Sequence, residues 1–217
     1  MVDKRMVLSK KYMPITNAQL KIVVADYLIR FPDWELFKDG TAFFRNHGPF
    51  QQMIWFQKMR SASYRPTHVI SATVPLMPRM LTQILDVKHR EVEHRWHEQK
   101  FASTLAAMEE QFRPNIRDPL NISTVLELCE AEAQAMPDTT NNMIMLAILY
   151  SWLNRKCEAL DCCERIQQCP LPMPVLEPRL SWENLARTFG RDLAKALENG
   201  TAREFLETDL APEFRIP

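Results

Sequence analysis

Between Thr16 and Phe31 the apolar residues Leu20, Val23, Val24, Tyr27 and Leu28 recur at the three-and-four spacing of one helix face. Thr16 or Asn17 supplies a cap, and Pro32 ends the helix. The period then shortens. In "DWELFKDGTAFFRN" two short aromatic runs flank Asp39-Gly40, a dipeptide suited to a tight hairpin turn. "HGPF" makes a second turn. "QQMIWFQKM" is a strand with Met53, Trp55 and Gln57 on one side and Ile54, Phe56 and Lys58 on the other. "RSASYRP" connects it to a fourth, β-branched strand, "THVISATV". Consecutive strands joined by short turns predict an antiparallel meander.

From Pro78 onward the pattern reads as helical. Met80, Ile84 and Val87 form one stripe, and Phe101, Leu105, Met108 and Phe112 form another, with a slip between them at Val92 and Trp96. The prolines of "RPNIRDP" mark a linker over residues 114–120. Beyond it "NISTVLELCEAEAQAM", "NNMIMLAILYSWL" and "RKCEALDCCERIQQ" predict three helices. "CPLPMPVLEP" is an extended connector, because a helix interior cannot hold four prolines. A further helix runs from a cap at Ser181 to a stop at Gly200, and "TARE" has the capping-box form. The expected fold is α+β: an N-terminal helix and a roughly four-stranded antiparallel meander within residues 1–113, the linker, and a mostly helical region over residues 121–217.

Composition narrows the class. Hydrophobic residues make up 46% and charged residues 25%, the balance of a globular chain. The longest uncharged apolar run, Met143–Tyr150, is far short of the ~20 residues that cross a bilayer. The charged N-terminus lacks the apolar stretch of a secretory signal. Five cysteines, an odd number, fit reduced thiols in the cytosol. The charge is neutral in sum but divided. The first 100 residues carry 16 Lys/Arg against 9 Asp/Glu, and the rest carry 11 against 18. A basic front half suits either the acidic back half or an acidic partner.

The candidate chemistry is sparse. On a helix, His89, Glu93 and His97 would share one face at i, i+4 and i+8, a donor set that zinc or iron accepts and the basis of a metal-dependent enzyme as an alternative. Lys88, Arg90 and Arg95 crowd the same turns with positive charge, so a solvated helix is the favoured reading, with no metal and no cofactor expected. The spacing of Cys157, Cys162, Cys163 and Cys169 is not that of zinc knuckles, and core packing is favoured. With only Gly40, Gly48, Gly190 and Gly200, the chain has no nucleophile elbow, phosphate loop or dinucleotide fingerprint.

The strands offer a second candidate. Lys38, Arg45, Lys58, Arg60 and Arg65 are interleaved with Trp34, Phe43, Trp55 and Tyr64. Such a surface can stack single-stranded nucleic acid, an alternative that the neutral overall charge weighs against. Trp, Tyr and Arg are also the residues favoured at protein interfaces. The expected contact set is therefore Trp34, Arg45, Trp55, Lys58, Arg60 and Arg65, binding another protein.

Two resemblances accompany these patterns. "MLAILYSWLNRKCEALDCCERIQQCP", within residues 143–170, resembles one tetratricopeptide-type helical hairpin: Leu146, Ala147, Tyr150 and Ala159 match its small and aromatic positions, while Cys163 departs from them. Residues 28–74, with "FKDGTAFFRNHGPFQQMIWFQKM" at their centre, resemble small α+β bacterial proteins of immunity-like type. That resemblance implies a non-catalytic cytoplasmic module, an immunity or adaptor protein, that binds a toxin or effector. It carries no site residues across.

Overall fold

The computed structural model describes residues 14–74, 76, 78–135, 139–168 and 182–208. It is an α+β protein: one helix, an antiparallel meander, and then helices. The proline-rich connector, Cys169 and Ser181 lie outside the described residues. The chain divides into two units. The first takes the chain up to Asn46, Gln52–Val69 and Thr82–Leu120; the second takes His47–Gln51, Ile70–Leu81 and the chain from Asn121 onward.

Helix α1, Asn17–Leu28, begins with a capping box. The Thr16 hydroxyl accepts from the Gln19 amide at 3.2 Å, and the Gln19 side chain accepts from the Thr16 amide at 3.0 Å. The strands are β1 Glu35–Leu36, β2 Ala42–His47, β3 Phe50–Lys58, β4 Ser63–Ala72 and β5 Arg79–Ile84, in that spatial order. A sixth, β6 Val92–Glu93, pairs antiparallel with β4 through Tyr64↔Val92 and Ser63↔Glu93. Gly40, at φ +73°, permits the turn between β1 and β2, where Asp39 accepts from the Thr41 amide at 2.8 Å.

The region after Pro78 corrects the helical expectation, and the sheet has five meander strands rather than four. Leu81, Gln83 and Leu85 turn inward while Thr82 and Ile84 are exposed, which is the period of a strand. Val87, expected on a helical stripe, is 88% exposed. The stretch expected as a solvated helix, residues 88–100, is instead a turn, β6, a 3-10 turn at His94–Trp96 and the start of α2, His97–Gln111. Strand geometry prevails there because it pairs Val92 with Tyr64 and buries it in the core. The second predicted stripe does form. Met108 is buried on α2, Phe112 is buried at its C-terminal cap, and Phe101 and Leu105 pack partly against the same core.

That core joins Leu20, Val23, Val24 and Tyr27 of α1 to Phe43, Ile54, Phe56 and Tyr64 of the sheet. Residues 114–120 belong to the same unit. Pro114 and Ile116 are buried, and the Arg117 guanidinium lies 4.3 Å from the Phe31 ring while its Nε donates to Glu109 at 2.8 Å.

The second unit is built around α4, Thr140–Trp152, which is buried continuously from Asn142 to Ser151. Its sequence is apolar nearly all round, as a fully enclosed helix requires. Helices α3 (Ile122–Ala135), α5 (Lys156–Gln168), α6 (Trp182–Asn199) and α7 (Ala202–Thr208) pack on it. The α4–α5 pair forms a helical hairpin, with Leu146, Ala147, Tyr150 and Ala159 buried. Gly48 lies against Trp152 so closely that an added Cβ would sit 2.8 Å from the ring, and Phe50 meets that indole edge-on.

Candidate interaction surface

Alternation along β3 decides which aromatic residues are available. Ile54 and Phe56 are fully buried in the core, while Met53, Trp55 and Gln57 on the opposite face are half-buried. Past Trp55 the strand ends at exposed Lys58, on the Ile54 and Phe56 side, and exposed Arg60 follows it. Lys58 donates to the Asn17 side chain at the start of α1, which anchors the end of β3 to the helix. Two shallow depressions adjoin this end. One, of about 450 Å³, is lined by Asp39, Thr41, Trp55, Gln57 and Lys58 among others. The other, of about 340 Å³, is lined by Pro14, Lys58, Met59 and Arg60.

The remaining expected contact residues are placed elsewhere. Trp34 is only 6% exposed; it packs edge-on against Phe31 and Phe43, with the Arg45 guanidinium 4.8 Å from its ring. It is a core residue, and this corrects the expectation of an exposed anchor. Arg45 is committed as well: its Nε donates to Gln52 at 2.9 Å and its guanidinium donates to the Asp118 carbonyl. Arg65 is half-buried, with its Nε enclosed and without a hydrogen-bond partner. Trp55, Lys58 and Arg60 thus remain as the accessible group.

Arg45 opens a polar ladder across four strands that the sequence reading missed. The Gln52 oxygen accepts from Arg45 Nε, so its amide nitrogen faces His68 Nε2 at 2.9 Å. The His68 proton therefore sits on Nδ1, which donates to Gln83 Oε1 at 3.4 Å. Gln83 closes the row on the Arg113 backbone, donating at 2.7 Å and accepting at 2.7 Å. Burial holds the His68 imidazole down to about 4, with the nearby Arg45 charge acting in the same direction and the Gln83 hydrogen bond opposing it. The available signal was polar Gln52 on the same side of the strand as Phe50, Ile54 and Phe56. Such a residue is buried only when its hydrogen bonds are met.

His89, Glu93 and His97 are not brought together. His89 bonds Asp86 at 3.0 Å, and Glu93 pairs with Arg95 at 2.7 Å. His97 turns inward, with the Tyr64 hydroxyl 2.7 Å from its Nδ1 and Asp26 3.1 Å from its Nε2. No group of three or more such side chains among the described residues could hold a metal ion. A depression of about 370 Å³ lies beside Asp26, His97, Arg30 and Phe101, but both imidazole nitrogens are already engaged. Burial raises the Tyr27 hydroxyl to about 12 and raises Tyr64 as well, so neither is poised as a nucleophile.

The cysteines behave as packing residues. Cys129, Cys162 and Cys163 are buried and free, and burial pushes their thiols up to about 12, 11 and 12. Cys157 is free and exposed. No helix among the described residues is long and apolar enough to cross a membrane. No family model, no curated protein and no solved structure matches the chain.

Proposed function

We propose that the protein is a cytoplasmic protein-binding module, of adaptor or immunity type, that meets an acidic partner through Trp55, Lys58 and Arg60. The observation behind this reading is the half-buried indole of Trp55 on the outward side of β3, with a shallow depression along it and exposed Lys58 and Arg60 at and just past the strand's end. An aromatic anchor ringed by charge is the usual make-up of an interface centre and its steering rim. The basic excess of the first 100 residues adds long-range attraction for an acidic surface. Free, buried cysteines support a reducing compartment.

A nucleic-acid reading of the same strands is weaker. It needs several exposed rings to stack on, and Trp34, Phe43 and Tyr64 are all in the core.

The test is a comparative pull-down with the unaltered protein, Trp55→Ala and the double variant Lys58→Glu/Arg60→Glu, all folded by circular dichroism. An acidic protein should be captured by the first and lost by both variants. An identical captured set in all three, or capture of nucleic acid, would contradict the proposal.

A further inference from the structure

Helix α1 is apolar on two faces but buries only one. Leu20, Val23, Val24 and Tyr27 enter the core. On the other side Ala18, Ile22, Ala25 and Ile29 follow one another at spacings of four, three and four, and all are exposed: Ile22 to 60% and Ile29 to 76%. Ile29 caps the helix in right-handed geometry, so the row stays straight to its end. This is the spacing of a coiled-coil seam, with isoleucine at the a positions and alanine, small enough for close approach, at the d positions. The charges beside it complement themselves. Lys21 immediately precedes the a-position Ile22, and Asp26 immediately follows the d-position Ala25, so they flank opposite edges of the seam.

We propose that α1 packs in parallel against α1 of a second copy of this chain. In a parallel pair the residue before an a position faces the residue five further along the other helix. Lys21 of each copy then meets Asp26 of the other, twice by symmetry. An antiparallel pair would set lysine against lysine and aspartate against aspartate. Both groups can take up the contact. Lys21 is exposed and has no ion pair among the described residues, and Asp26 uses only its Oδ2 toward His97. With four seam residues per copy, the dimer is of the small, reversible class. None of the four seam residues lines the depressions near Trp55 and Arg60.

Sedimentation over a concentration series, together with thermal melts, tests the pairing. The unaltered chain should shift from monomer to dimer with concentration. Ile22→Gln/Ile29→Gln should stay monomeric and melt where the dilute, monomeric unaltered chain melts, since both side chains are exposed. Trp55→Ala should dimerise like the unaltered chain. A chain monomeric even at about 1 mM, or a double glutamine variant that still dimerises, would overturn the proposal and leave the stripe to another occupant. Orientation is read by cross-linking in a Cys157→Ser/Cys169→Ser background under mild oxidation. Ala18→Cys and Ala25→Cys should each form a disulfide-linked dimer, because every seam residue of a parallel pair meets its own counterpart. Cross-linking at only one of the two positions would contradict the parallel arrangement.

Discussion

The inner and outer faces of β3 carry similar kinds of side chain and put them to opposite uses. Inside, Ile54 and Phe56 are sealed against the α1 core, and polar Gln52 is tied between Arg45 and His68. Outside, Trp55 keeps part of its indole in solvent; Lys58 falls on the inner side by the same alternation, yet it is exposed at the strand's end, where it reaches Asn17 of α1, and exposed Arg60 follows. Trp34 and Arg45 resemble Trp55 and Arg60 in chemistry, yet they are stacked on each other at 4.8 Å as part of the interior. Residue type alone therefore does not mark an interface where phase decides. A tryptophan is structural or available according to which side of one strand or loop it leaves.

The largest effect that would break this contrast is at Trp34. Trp34→Ala removes a core ring and should cost about 3–5 kcal/mol, seen as a large fall in the denaturant midpoint. A loss below about 1 kcal/mol would move Trp34 to the surface class.

The next effect is acid sensitivity of the inner ladder. Above about pH 6.5 His68 is neutral whether folded or unfolded, and its contribution is complete. As pH falls from there toward about 4, the unfolded chain takes up a proton that the folded ring refuses. Stability should therefore drop through that window, by roughly 3 kcal/mol at most from this group. Urea melts at several pH values measure it. His68→Gln, which cannot titrate, should show a flatter profile over the same range.

Arg45→Ala is expected to cost about 2 kcal/mol, because it strips the donor from Gln52 and leaves buried polar atoms unmet. A neutral result would mean that water replaces the guanidinium. Smallest is Lys58→Glu/Arg60→Glu, which should cost no more than about 1 kcal/mol, mainly the exposed Lys58–Asn17 hydrogen bond, while slowing partner association and altering its salt dependence.

Much of the fold was readable from local signals. The capping box at Thr16, the Asp39-Gly40 turn, the alternation in β3 and the stripe from Phe101 to Phe112 each carry their own period or turn chemistry. Residues 79–96 were not readable in that way. Met80, Ile84 and Val87 happen to fall at helical spacing, whereas β5 exists because it pairs with β4 across a short loop, and β6 because it pairs with the far end of β4, distant in sequence. The ladder was hidden for the same reason: Arg45, Gln52, His68 and Gln83 become one row only after four strands align. Of the expected contact set, the phase of Trp55 was correct, but nothing local distinguishes Trp34, which comes before β1 and follows no alternation.

The most direct measurement is Trp55→Ala, with thermal melting and partner binding followed on the same preparation. The expected result is a melting midpoint nearly that of the unaltered chain, a stability cost of about 1 kcal/mol or less, and partner affinity reduced by about 2 kcal/mol or more. A midpoint that falls as far as that of Trp34→Ala, or binding that survives the loss of the indole, would contradict it.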